Sequence, residues 1–179
     1  MEGDGSREAV SLRYLSPDGE EGYPGAVEFV VTWRLAGPRL ICEMEAWPDR
    51  PTPVNLAQHS YWNLGGGGDV LDHELWVDAP EHTPAGPDLI PDGTIRSVEG
   101  TRLDFTEARS IDASDPGRIG LDDNLVLRAG RDRTAPAARV RCGRSGMKLE
   151  LRTDQPGMQV FDAARMVIEA PGHDGARYG

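Results

Sequence analysis

Apolar and polar positions alternate with a period of two over several stretches of this chain. In Val27-Glu-Phe-Val-Val-Thr-Trp-Arg-Leu35, the side chains of Val27, Phe29, Val31, Trp33 and Leu35 fall on one face. Gly37-Pro38 follows, and then Leu40, Cys42, Met44 and Ala46 alternate with Ile41, Glu43, Glu45 and Trp47. Two alternating runs joined by a glycine-proline pair predict a hairpin. Lys148-Leu-Glu-Leu-Arg-Thr153 alternates as well, after a turn predicted over Arg144-Ser-Gly146, and Met158 to Asp162 is a further predicted strand. A helical period never runs beyond two turns. Asp112 to Gly117 is expected to form at most a short helical turn. The pattern predicts an antiparallel all-β protein.

Composition fits that class and narrows the partners. The 179 residues include 22 Gly and 14 Pro against 38% hydrophobic residues, as expected of short strands joined by many turns. The length allows one domain with a core. A net charge of −11 argues against nucleic acid or an anionic membrane surface as a partner, since both would repel the chain. No apolar run approaches a membrane span, and the acidic start MEGDGSREAV has no hydrophobic segment of a signal peptide, so a cytoplasmic location is expected. Cys42 and Cys142 fall in strand-like runs and are expected to be buried thiols rather than a disulfide.

The chemistry concentrates in Thr52 to Gly66, TPVNLAQHSYWNLGG. His59 is followed by Ser60, Tyr61, Trp62 and Asn63, so an imidazole, a hydroxyl, an amide and two aromatic faces share five residues. A pyranose offers hydroxyls to amides and C–H faces to rings. On composition alone, Tyr61 and Trp62 fit a core as well as a sugar site, and His59 fits a structural histidine.

The run resembles TPVNLTNHSYFNL of the aldose 1-epimerases, also called galactose mutarotases. Ser16 to Gly25, SPDGEEGYPG, is similar to the same segment of that family. Leu89-Ile-Pro-Asp-Gly93 resembles its LIPTG turn, and Thr101-Arg-Leu-Asp-Phe105 its TPFDF element. Gly120 to Leu127, GLDDNLVL, resembles GYDHNFVL, and Gln155 to Phe161, QPGMQVF, resembles PGVQFY. Six motifs in order identify residues 7–179 as a partial aldose 1-epimerase domain, with residues 1–6 expected to be disordered.

The resemblance implies an antiparallel β-sandwich, the galactose mutarotase-like supersandwich, in incomplete form. It implies interconversion of the α and β anomers of free hexoses, in which an acid protonates the ring oxygen while a base takes the anomeric proton. No metal or cofactor is implied, and the partner is a small sugar. By the same resemblance His59 is the catalytic acid, and Asp122 and Gln159 are substrate-binding residues sharing its cleft. Asp123 stands where the family usually has histidine. The family's amino-terminal Asn-Arg pair and first histidine, and its catalytic glutamate in a GxCxExQxxPD-like motif, find no counterpart. Impaired turnover, weak sugar binding and under-covered apolar faces at Val27, Phe29, Val31 and Trp33 are therefore expected, the alternative being a non-catalytic carbohydrate-binding domain.

The remaining titratable residues are given structural roles. His73 and His82 are expected at the surface, and His173 is not expected to be a ligand. Neither His73, Glu74 and His82 nor the acidic group Asp112, Asp115, Asp122 and Asp123 has the spacing of a metal site, and the acidic group is expected to be a solvated face. Beyond Gln159 the carboxylate side chains are Asp162, Glu169 and Asp174, and none is promoted to catalytic base.

Overall fold

The computed structural model describes residues 9–166, 168, 170, 172 and 175. Residues 1–6, Glu169, His173 and Asp174 lie outside the described residues. Two compact units divide the chain, Met1–Tyr61 and Trp62–Gly179.

The first unit is a three-stranded antiparallel meander of β1 (Ala9–Ser16), β2 (Val27–Ala36) and β3 (Arg39–Pro48). The hairpin expected from the alternation is β2–β3, closing from Ala36 opposite Arg39. Gly37 has φ of 59° there, as a two-residue turn of type II′ needs at its first position, and Pro38 takes the second, where φ is negative. Strand β1 is an addition to the sequence reading. Its register sets Val10, Leu12 and Tyr14 beside Trp33, Val31 and Phe29. Of the apolar positions expected to be under-covered, Val27 is buried, while Phe29, Val31 and Trp33 are half-buried. The other face is mixed: Ser11 is bonded to Thr32 and Arg13–Glu28 and Arg34–Glu43 form ion pairs, beside apolar Leu15, Val30, Ile41 and Trp47.

The β1–β2 connection carries the SPDGEEGYPG segment, and its carboxylates hold that loop. Asp18 accepts from the Gly25 N–H at 2.7 Å, and Glu20 accepts from Tyr14 and Ser16 hydroxyls. Arg50 pairs with Asp18 across the loop. This motif therefore has a structural role in the first unit.

The second unit is a sandwich of two four-stranded antiparallel sheets. One has the order β10 (Lys148–Leu151), β9 (Ala138–Cys142), β4 (His73–Val77), β7 (Arg109–Ser110). The other runs β11 (Gly157–Phe161), β8 (Asp122–Val126), β5 (Glu81–Thr83), β6 (Arg96–Ser97). Leu75 and Val77 of β4, Ala138 of β9 and Leu125 of β8 meet in the core, joined by Val98, Phe105 and Leu121 from connecting segments. Each fully buried side chain of this size contributes about 1.5–3 kcal/mol by leaving water. The motif TRLDF thus feeds the core through Leu103 and Phe105.

The predicted helical turn is α1 (Ile111–Ser114), capped by the Ser110 hydroxyl, which accepts from the Ala113 N–H. Pro116 follows its end, where no helix can continue easily. Predicted strands over 148–153 and 158–162 are found as β10 and β11. Short strands β4 to β9 carry less alternation and were not predicted individually. Among the described residues, no helix is long and apolar enough to cross a membrane.

Candidate functional site

The sheet of β5, β8 and β11 has one face in the core and one outside, and its register decides which residues share each. His82, Leu125 and Met158 stand opposite one another across the three strands, as do Thr83, Asn124 and Gln159. Leu125 is core, so the row with Thr83, Asn124 and Gln159 faces outward. Asp122, two residues before Asn124 on β8, shares that outer face. The Gln159 side-chain amide donates to Asp122 Oδ1 at 2.7 Å. The two residues named from sequence are therefore neighbours, and they line one pocket of about 100 Å³ with Thr83, Asn124, Ala85, Leu89 and Pro91.

This pocket is small beside ordinary ligand cavities of about 300–1,000 Å³. It suits contact with two or three hydroxyls rather than enclosure of a molecule. Its polar side is rich in acceptors, since Asp122 keeps a free carboxylate oxygen and Gln159 its amide oxygen. Leu89, within the LIPDG turn, has φ of 61° and belongs to the apolar rim with Ala85 and Pro91.

Asp123 points the other way. It pairs with Arg102 at 2.8 Å and is half-buried, while the same guanidinium donates to the Gly120 carbonyl at 3.0 Å. Asp115 is buried and accepts from the Gly120 N–H at 2.6 Å. Gly120 has φ of 88°, and a Cβ there would lie 3.2 Å from that of Ala164. The expectation of a solvated acidic face thus fails for Asp115 and Asp123. Asp115 is drawn inward because it holds the backbone turn that starts β8, and Asp123 because it pairs with Arg102, which braces the same turn. Asp112 stays exposed and pairs with Arg118.

His73 also corrects the sequence reading. It is 1% exposed, because β4 turns its side chain inward opposite Cys142 of β9. Its Nε2 accepts from the Leu64 N–H at 3.0 Å, which fixes the proton on Nδ1, and Nδ1 donates to Asp72 at 3.0 Å. Arg144 in turn holds the Asp72 carboxylate, and its hydrogen bonds, with that of His73, keep Asp72 below the usual carboxylate range. Hydrogen bonds from Ser145 lower the thiol of Cys142. Asp72, His73 and Cys142 place potential ligand atoms within 4.8 Å of one another. A metal on His73 would need one ring nitrogen, and both already serve Leu64 and Asp72. Displacing the Leu64 N–H would leave it buried and unpaired, so the group fits a structural network better than a metal centre.

His82 is half-buried rather than at the surface, since it shares the inner row with Leu125, and its Nδ1 is buried without a partner. Cys142 is fully buried as expected, whereas Cys42 is half-buried; both are free thiols.

His59 belongs to the first unit, in the irregular segment after β3. It is exposed, and its ring meets Tyr61 edge-on with centroids 5.3 Å apart. Tyr61 is exposed too, which removes the core role composition allowed it. Trp62, the first residue of the second unit, is likewise exposed.

The aldose 1-epimerase family model matches residues 2–174. The chain belongs to the aldose 1-epimerase family. It is 39% identical over 173 residues to galactose mutarotase of Mus musculus, covering 94% of this chain and 50% of that protein. Aldose 1-epimerase of Escherichia coli is 33% identical over 160 residues, covering 85% and 46%. Among solved structures, the GalM/aldose epimerase homologue from C. elegans superposes with a TM-score of 0.87 at 28% identity, over 96% of this chain and 53% of that one. The chain thus spans about half the length of the curated relatives it matches. The antiparallel β architecture is that of the aldose epimerase fold.

Proposed function

We propose that this chain acts on free hexoses such as galactose and glucose, interconverting their α and β anomers by acid–base ring opening. The observation that carries this reading is the Asp122–Gln159 pair, hydrogen-bonded at 2.7 Å on the outer face of a sandwich in an aldose 1-epimerase family member. Asp122 accepts sugar hydroxyls through its free oxygen, and the Gln159 amide both donates and accepts. His59 protonates the ring oxygen, the C1–O5 bond opens to the aldehyde, C1 rotates, and the proton returns to His59 on closure. An exposed imidazole suits a group that gives and recovers one proton in each cycle.

A base must take the anomeric proton in the same cycle. The 179 residues contain no counterpart of the family's GxCxExQxxPD glutamate motif, so turnover by these residues alone is expected to exceed the spontaneous reaction only slightly. A second reading, sugar binding without turnover, is favoured by the same observation, because Asp122 and Gln159 both belong to the second unit. Polarimetry on freshly dissolved α-glucose separates the two. Whatever acceleration the chain gives, His59→Gln is expected to remove it, because the ring oxygen then lacks its proton donor. Full activity in that variant would exclude His59 from the mechanism. Galactose binding is expected near the millimolar range, weakened further in Asp122→Asn; an unchanged affinity in that variant would exclude the pocket as the sugar site.

A further inference from the structure

The outer row of the β5–β8–β11 sheet holds two residues beyond the Asp122–Gln159 pair. Asn124 stands directly between Thr83 and Gln159 in the register, and its side-chain amide donates to the Thr83 hydroxyl oxygen at 2.9 Å. Both line the same pocket as Asp122 and Gln159. The Asn124 amide turns its nitrogen toward Thr83, an orientation in which the hydroxyl oxygen accepts. It also depends on Gly157, where a Cβ would stand 2.9 Å from Asn124 Oδ1. Glycine at this strand position leaves room for the amide to lie flat beside β11.

A threonine oxygen that accepts from Asn124 still has its own proton to donate. Among the described residues, no group accepts it. The hydroxyl is only partly exposed, in a pocket whose neighbours Asp122 and Gln159 contribute acceptor oxygens. A ligand with several hydroxyls needs both kinds of partner, because each hydroxyl carries one proton and two lone pairs.

We propose that Thr83, oriented by Asn124, is a sugar-binding donor that completes the acceptor pair Asp122–Gln159 and helps set which hexose the pocket takes. This rests on the reading of the pocket as a hexose site. Thr83 donates to the oxygen of one sugar hydroxyl whose own proton goes to Asp122 or Gln159. Asn124 is a positioning residue in this scheme, acting on the ligand through Thr83, and Gly157 keeps Asn124 in place.

The test is ligand-detected NMR titration of the full chain with galactose, glucose and mannose, in wild type, Thr83→Val, Thr83→Ser and Gly157→Ala. Thr83→Val keeps the shape and removes the hydroxyl, so affinity for the preferred hexose is expected to fall about 3–10-fold, the worth of one neutral hydrogen bond. Thr83→Ser should retain most of the affinity, and the spread among the three hexoses should narrow in Thr83→Val alone. Gly157→Ala should reproduce the Thr83→Val loss by displacing Asn124, and should add little when combined with it. Unchanged affinity in Thr83→Val, or an equal loss in Thr83→Ser, overturns the proposal while the hexose site stands. Absence of hexose binding by the wild type overturns both readings together.

Discussion

The meander of the first unit and the sandwich of the second are both built from antiparallel strands, yet they stabilise themselves differently. In the sandwich, two sheets bring Leu75, Val77, Leu125 and Ala138 face to face, and these side chains are essentially removed from water. In the meander, one sheet presents Val10, Leu12, Tyr14, Phe29 and Val31 along a face where, Val27 apart, burial is partial at best. Alternation makes a strand, but a second layer is what makes a core. Stability should therefore reside mainly in residues 62–179, and the meander should be the part that opens first.

The sharpest way to break this contrast is to remove matched leucines. Leu125 is 1% exposed and Leu12 is 61% exposed. Leu125→Ala is expected to cost about 2–5 kcal/mol through lost burial and the cavity left behind. Leu12→Ala should fall within about 0.5 kcal/mol of wild type. Urea unfolding measures both, and peptide-level hydrogen exchange should show faster exchange in β1–β3 than in β4, β8 and β9. Equal losses from the two variants, or uniform protection, would mean that the meander is as well packed as the sandwich.

The next effect concerns the polar network at the edge of the sandwich. His73→Ala leaves the Leu64 N–H without its acceptor in a buried setting, at an expected cost of about 1–3 kcal/mol. His73→Gln, which can place an amide oxygen near the same N–H, should recover part of the loss. A neutral His73→Ala would return His73 to the surface role that its sequence neighbours suggest. Among the described residues, no comparable histidine network is buried in the meander, whose cross-strand side-chain hydrogen bonds lie at the surface.

Acid should act on both units through carboxylates held below their ordinary range. Asp72 is lowered chiefly by its hydrogen bond from Arg144, and Asp104 by that from the Thr106 hydroxyl. In the meander, Asp18 is lowered by the Gly25 N–H and Glu20 by the Ser16 hydroxyl. A folded value below the unfolded one gives stability that is present above about pH 4 and is lost as pH falls through the folded value. Stability from these groups should be constant from neutrality to about pH 4 and then decline. Relief of the −11 net charge opposes the decline, so the difference between wild type and Asp72→Asn is the informative quantity. That difference should shrink below pH 4; a difference that grows there would contradict the assignment.

Much of this was legible in the sequence, and the exceptions have physical reasons. The β2–β3 hairpin was readable because its partners are adjacent and its turn residues are diagnostic. The Asp122 and Gln159 positions came from motif resemblance, and their meeting depends on the pairing of β8 with β11 as neighbours in one sheet. Asn124 was also within reach, since it lies two residues from Asp122 and a strand repeats its face every second residue. Thr83 was not, because its partner on β8 is 41 residues away and no local pattern announces the pairing. Asp115 lies inside against expectation because it holds the Gly120 N–H at the turn into β8, and His73 for a different reason. A short polar sequence such as Leu71-Asp-His-Glu-Leu75 looks exposed until the strand direction shows which side chain turns inward.

The smallest expected effect tests the comparison at the level of single ion pairs. Arg34–Glu43 in the meander lies at the surface at 2.9 Å, with both side chains more than one-third exposed. Arg102–Asp123 in the sandwich is closer to the interior, at 2.8 Å with 28% and 19% exposure, and Arg102 also serves the Gly120 carbonyl. Water and salt screen the first pair, and holding two long side chains together offsets most of its attraction, so Arg34→Ala should cost about 0–1 kcal/mol. Loss of Arg102 leaves Asp123 and the Gly120 carbonyl short of a donor, so Arg102→Ala should cost more, about 1–2 kcal/mol. Raising the salt concentration to about 1 M, where the screening length is about 3 Å, should erase the Arg34 effect and leave most of the Arg102 effect. If Arg34→Ala proved the costlier of the two at high salt, the meander would be held by its surface ion pairs, and the division of stability between the two units would have to be redrawn.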